Sequence, residues 1–156
     1  MQKKDAKNIS VLGFIALSAY LIFISWRLFF FAYSNHYRQR MDAPGCNLVP
    51  FKTIGEFWSS LGSLPFDVWI YNLAGNIAAF MPLGFFLAMT FKRFSIQKTV
   101  FVAFILIVLA EAMQLVTLLG VFDVDDIILN VIGSFFGCII YQLCRRIFLR
   151  LGFVKG

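Results

Sequence analysis

Four stretches of this chain are apolar over the thickness of a membrane, and three of them carry amide or carboxylate side chains that hydrocarbon does not tolerate unpaired. The second stretch reads NLAGNIAAFMPLGFFLAMTF over 72–91, with Asn72 and Asn76 near its start and Pro82 at its centre. The third carries Glu111 and Gln114; the fourth is preceded by Asp123, Asp125 and Asp126 and contains Asn130. About 20 predominantly apolar residues cross a bilayer as helix, and the runs at 9–33, 72–91, 99–119 and 127–149 meet that length. A soluble domain has about 25% charged residues. This chain has 14% charged and 60% hydrophobic residues in 156, which excludes that class. The expected fold is all-α: a single domain over 1–156, a polytopic membrane bundle of four helices.

The first run follows Lys3, Lys4 and Lys7 as a secretory signal would, but it is too long for a signal core. Trp26-Arg27 stands where small residues would mark a cleavage site, so the run is expected to be a retained helix. Basic residues without acids flank the second–third connection (Lys92, Arg93, Lys98) and follow the fourth run (Arg145, Arg146, Arg150, Lys155). The first connection balances Arg38, Arg40 and Lys52 against Asp42, Glu56 and Asp67, and the third–fourth connection is acidic. The positive-inside rule then places both termini in the cytoplasm and 34–71 outside. The net charge of +6 follows from topology and inner-leaflet lipids; nucleic acid is not expected as a partner.

Cys46 is expected outside and Cys138 and Cys144 in the inner half of the fourth helix, so no disulfide framework is implied. His36 is the sole histidine, which argues against a His/Cys zinc site. Within 34–71, Pro50 disfavours helix before it, and Thr53 with Glu56 fits a capping box for a short helix. Trp58 and Trp69 suit the headgroup level, and the segment is expected to be re-entrant or to lie on the outer leaflet.

Helical rise puts Glu111 about 12 Å, Gln114 about 7 Å and Arg27 about 9 Å below the outer surface. Asn72, Asn76, Asp126 and Asn130 fall in the same half, which predicts an outward-facing polar pocket. Glu111 either pairs with Arg27 or is protonated and donates to an asparagine. Structural roles stand beside the functional ones. Amides bridge helices, Asp126 would N-cap the fourth helix, Asp123 and Asp125 would keep their loop solvated, and Arg27 would snorkel. Gly133 and Gly137 form a small-residue face for bundle packing or for a homodimer.

Taken in order, Asn72-x3-Asn76-x3-Phe80-x-Pro82-Leu-Gly84, Glu111-x2-Gln114 and Asp123-x-Asp125-Asp126-x3-Asn130-x2-Gly133-x3-Gly137 resemble the VanZ-like family of bacterial membrane proteins. The external Asn47-Leu-x-Pro50-Phe51 is similar to that family's segment after its first helix, so the resemblance covers roughly 47–143. Many members carry an arginine shortly before the acidic run; here the stretch reads Leu119-Gly-Val-Phe122, leaving Arg27 or another base as a substitute. The resemblance implies a multi-pass protein of the bacterial cell membrane, associated with resistance to the lipoglycopeptide teicoplanin.

Three functions remain open. The first is binding of a lipid-linked or amphiphilic envelope ligand by Asn72, Asn76, Glu111, Gln114, Asn130 and the aspartates. Arg27 and Arg38 would supply anion contacts, and Asp125 and Asp126 would take an amine or a hard divalent cation. The second is a transferase or hydrolase acting on a lipid-linked envelope substrate, with Glu111 as base and Asp126 as acid or metal ligand. No histidine or base-activated nucleophile is seen in the cluster to support it, and Ser134 has no evident partner. The third is a transporter using Glu111, which would need an inner pathway that the apolar inner halves do not offer.

Overall fold

The computed structural model describes residues 3–31, 45–59, 66–119 and 121–151. Helix α1 spans Lys3–Trp26 and continues as a π-helical turn over Arg27–Phe31. A two-residue strand β1 (Cys46–Asn47) and the short helix α2 (Lys52–Ser59) follow, then α3 (Phe66–Thr90) and α4 (Ile96–Thr117). Strand β2 (Phe122–Asp123) leads directly into α5 (Val124–Arg150). Four segments are long and apolar enough to cross a membrane: Asn8–Phe29, Leu73–Thr90, Ile96–Thr117 and Val124–Arg150. The apolar pattern located these spans but not the helix ends. Helix α3 starts at Phe66 rather than 72, because the helix takes in the six preceding residues, a largely apolar stretch interrupted by Asp67.

The connections 91–95 and 118–121 are too short to cross the bundle, so α3 and α5 run parallel with α4 antiparallel to both. Helix α1 is antiparallel to α3: Gly13 lies against Met89 and Thr90, while the Tyr20 hydroxyl donates to the Ala79 carbonyl at 2.9 Å. One end of the bundle therefore gathers Asp123, Asp125 and Asp126, and the other Lys92, Arg93, Lys98, Arg145 and Arg146. Leu17, Tyr20, Ile24, Phe80, Leu83, Leu87, Ala103, Ile107 and Ile127 form the main apolar core. Large apolar side chains such as Phe14, Ile22, Phe101, Val116 and Ile147 point outward. In water they would make a large exposed patch; in a bilayer they meet lipid.

The tightest packing is between α3 and α5. A β-carbon at Gly84 would overlap the Ser134 carbonyl, and β-carbons at Gly133 and Gly137 would overlap the carbonyls of Ile77 and Met81. The small-residue face of α5 is thus filled by the chain's own α3 and is not open to a second copy. Helix α3 continues through Pro82 although proline offers no amide to the preceding turn. Just ahead of it, the Ala79 carbonyl receives the Tyr20 hydroxyl and the Phe80 carbonyl receives Ser134 Oγ at 3.2 Å. The carbonyl that Pro82 leaves without a helical amide is that of Ala78, so these two bonds tie α3 to α1 and α5 beside the proline and do not replace the missing one.

Gly84→Ala is expected to lower the stability of detergent-purified protein by about 3 kcal/mol or more, since backbone rather than a flexible side chain must move. Gly75→Ala has nothing within 4 Å of the added carbon and should leave the unfolding midpoint unchanged or slightly raised. Thermal unfolding of the two variants side by side checks this.

Candidate functional site

Helix α4 ends with Leu118 in the left-handed region (φ 57°), its amide reaching back to the Gln114 and Leu115 carbonyls. The chain then reverses into β2, which pairs in parallel with β1: Cys46 faces Phe122 and Asn47 faces Asp123. This small bridge carries the segment 45–59 onto the acidic end of the bundle.

Two of the three aspartates fasten that segment. Asp123 is the N-cap of α5, its Oδ1 accepting from the Asp125 amide at 2.9 Å. The same carboxylate accepts from Asn47 Nδ2 at 3.1 Å and from the Thr53 hydroxyl at 2.6 Å. Asn47 Nδ2 also reaches Thr53 Oγ1 at 3.0 Å, closing a three-residue ring. Asp125 is completely buried and accepts from the backbone amides of Phe51 (2.5 Å) and Ile54 (3.0 Å) at the start of α2. A carboxylate at a helix N-terminus is stabilised both by these charge-assisted bonds and by the helix dipole.

These contacts revise several expectations. Asp123 and Asp125 are not solvated loop charges; both are buried and occupied by the chain itself. Thr53 does not cap α2, because its hydroxyl is turned to Asp123 and Asp125 caps the helix from across the site. Asp126 does not cap α5, because Asp123 does. Instead Asp126 accepts from Asn76 Nδ2 at 2.6 Å, joining the first turn of α5 to α3 about three turns past its start. Among the described residues no group of three His, Cys, Asp or Glu side chains could hold a metal ion. The three cysteines are free thiols.

Asn130 lies one turn beyond Asp126 on α5 and is 3% exposed, with its amide oxygen buried and accepting no hydrogen bond. Glu111 and Gln114 are likewise buried on α4, which packs along α5 and β2. Ile107, one turn below Glu111, shares a core cluster with Ile127, the neighbour of Asp126, so these polar groups sit above the same apolar floor. Arg27 is half-buried at the first residue of the π-helical turn. His36, Arg38 and the side chains of Trp69 and Asn72 lie outside the described residues. Ser134 is buried and donates to the Phe80 carbonyl, which gives it a packing role. Asn47 and Thr53 were not singled out as partners of the aspartates from sequence. Their pairing spans 76 and 70 residues of chain, and no local pattern announces it.

The VanZ/LLP1 family model matches residues 12–145 of this chain. Protein VanZ of Enterococcus faecium is 26% identical over 135 residues, which covers 83% of this chain and 73% of that protein. No solved structure matches.

Phe51 is exposed and holds a φ of 63°, a left-handed conformation costing a side-chain-bearing residue about 1–2 kcal/mol. Asp125 holds it there, so two substitutions should act in opposite directions. Asp125→Ala strands two amides and is expected to weaken docking of 45–59 by about 3 kcal/mol, at about 1.5 kcal/mol for each bond to a charged acceptor. Phe51→Gly relieves the backbone and should strengthen docking by about 1 kcal/mol. Limited proteolysis within 45–59 should be faster in the first variant and slower in the second, with the spanning helices intact in both.

Proposed function

The chain belongs to the VanZ/LLP1 family, and on that footing we propose that it is a multi-pass protein of the bacterial cell membrane that binds a lipid-linked or amphiphilic envelope ligand. The acidic end of the bundle faces outward, both termini are cytoplasmic, and binding lowers susceptibility to lipoglycopeptides such as teicoplanin. Orientation is supported by the basic residues gathered at the opposite end. Exposed Leu48, Val49, Phe51 and Trp58 on the docked segment suit contact with the outer leaflet.

The observation that carries the binding reading is the buried amide oxygen of Asn130, which accepts nothing from the protein. An orphan acceptor of this kind costs about 1–3 kcal/mol and is removed by any donor brought to it. The Asn76–Asp126 pair lies one turn away on α5, and Glu111 and Gln114 are buried on the adjacent α4. The matching headgroup is rich in hydroxyls or carries an amine, as a glycosylated or aminated envelope lipid does. Asp123 and Asp125 then act by holding the 45–59 segment over the site, since their oxygens already receive hydrogen bonds from Asn47, Thr53, Phe51 and Ile54.

Asn130→Leu tests this directly, because leucine matches the volume and removes the orphan oxygen. Stability should be unchanged or higher, while teicoplanin susceptibility should return to that of cells lacking the protein, and co-purifying ligand in native mass spectra should fall about tenfold or more, equivalent to about 1.4 kcal/mol. Asp126→Asn preserves an acceptor for Asn76 but removes the charge, and should affect an amine-bearing ligand more than a neutral sugar. Full protection by Asn130→Leu at normal expression would overturn the binding role.

A further inference from the structure

At the basic end, a second site lies between the parallel helices α3 and α5. Past the close contact of Gly137 with Met81 the two helices stay in contact through Phe85 and Tyr141, whose ring centroids are 5.4 Å apart, and a cavity of about 290 Å³ opens beside that contact. Its walls are apolar: Phe85 and Met89 of α3, Tyr141 and Phe148 of α5, and Ile9 of α1. A neighbouring cavity of about 250 Å³, reaching Met81 and Gly137, shares Phe85 with it. Met81, Phe85 and Met89 follow one another at helical spacing, so this wall extends over about 12 Å of α3, with Lys92 just past its end.

The mouth is cationic. Lys92 and Arg145 are the charged residues lining the cavity, one from the α3–α4 connection and one from α5. They are close enough that Arg145's charge adds to burial in holding the Lys92 ammonium below its ordinary pKa. Two like charges converging on the open end of an apolar slot are stabilised when an anion sits between them, and a guanidinium beside an ammonium suits a phosphate diester. The volume is at the lower limit of ligand pockets, enough for part of one acyl chain and too small for a whole lipid.

We propose that this groove binds an anionic phospholipid, with its phosphate between Lys92 and Arg145 and one acyl chain laid along Phe85, Met89 and Phe148. Basic pockets between spanning helices on the cytoplasmic side take anionic headgroups for this reason. The site is separate from the acidic end and does not depend on the ligand proposed there. A bound lipid would fill the cavity beside the Phe85–Tyr141 contact and steady the two helices that carry Asn76 and Asp126.

The test uses the full chain in nanodiscs of phosphatidylglycerol with phosphatidylcholine, released into native mass spectrometry to count retained lipids. Wild type should retain phosphatidylglycerol in preference to phosphatidylcholine. The double variant Lys92→Ala with Arg145→Ala should lose affinity for it about 30-fold, about 1 kcal/mol per base. Cys144→Phe keeps both charges but fills the cavity from its wall, and should also lose the lipid. Arg93→Ala with Arg146→Ala removes the same charge outside the cavity and should retain it. Equal retention by the Lys92/Arg145 variant, or equal loss in the Arg93/Arg146 variant, would overturn the site. Complete competition by millimolar inorganic phosphate would also overturn it, by assigning the anion contact to free phosphate.

Discussion

A fully buried carboxylate at the edge of an apolar bundle must be given hydrogen bonds or it will not remain there. Asp125 obtains them from the amides of Phe51 and Ile54, which belong to a different part of the chain. Much of the acidic end follows from that requirement. The segment 45–59 has to approach α5 closely, Phe51 has to adopt a left-handed backbone, and α2 has to begin where its first amides face Asp125. Removing one partner of such an arrangement is costly because the other is left desolvated. The arrangement therefore acts as a latch between an irregular segment and a rigid helix.

The latch needs a firm base, supplied by the contact of α3 with α5. Inside hydrocarbon there is little hydrophobic drive for helices to associate, so close backbone approach has to provide the attraction. Gly84, Gly133 and Gly137 permit that approach, and Ser134 and Tyr20 place hydroxyls on the carbonyls preceding Pro82. Because the two helices are parallel, the first turn of α5 lies level with Asn76, about three turns into α3. Asn76 and Asp126 can then bond at 2.6 Å, and the dipole of α5 favours negative charge there. The parallel arrangement also leaves a lengthwise groove at the other end, where the carbonyl termini and the bases lie.

The spanning helices were legible in the sequence because a membrane imposes a simple length rule on apolar runs. Depth and helical spacing put Asn76 and Asp126 at one level, where they bond at 2.6 Å. The partition of roles among the aspartates was not legible. Asp123, Asp125 and Asp126 are neighbours on the chain with nearly the same intrinsic chemistry, yet one caps its own helix, one caps another, and one bonds α3. What separates them is a two-residue parallel bridge, Cys46–Asn47 with Phe122–Asp123, that carries no periodicity and joins positions 76 residues apart. Thr53 was read as a helix cap for the same reason: its local pattern fits a capping box, and a distant carboxylate outcompetes it.

The occupied and unoccupied hydrogen-bonding groups divide the acidic end into a scaffold and a recognition surface. Oxygens that accept from the chain's own amides are costly to move, so Asp123 and Asp125 belong to the scaffold. The Asn130 oxygen has no such commitment and lies one turn deeper, where an incoming donor gains the full value of a desolvated hydrogen bond. Leu48, Val49 and Phe51 of the latched 45–59 segment are exposed, so the same end of the bundle also presents apolar surface. Under the binding we propose, recognition has two parts of different chemistry: apolar contact through the segment, and donor-to-acceptor contact through Asn130. An amphiphile satisfies both at once; a free sugar or a simple hydrocarbon satisfies only one.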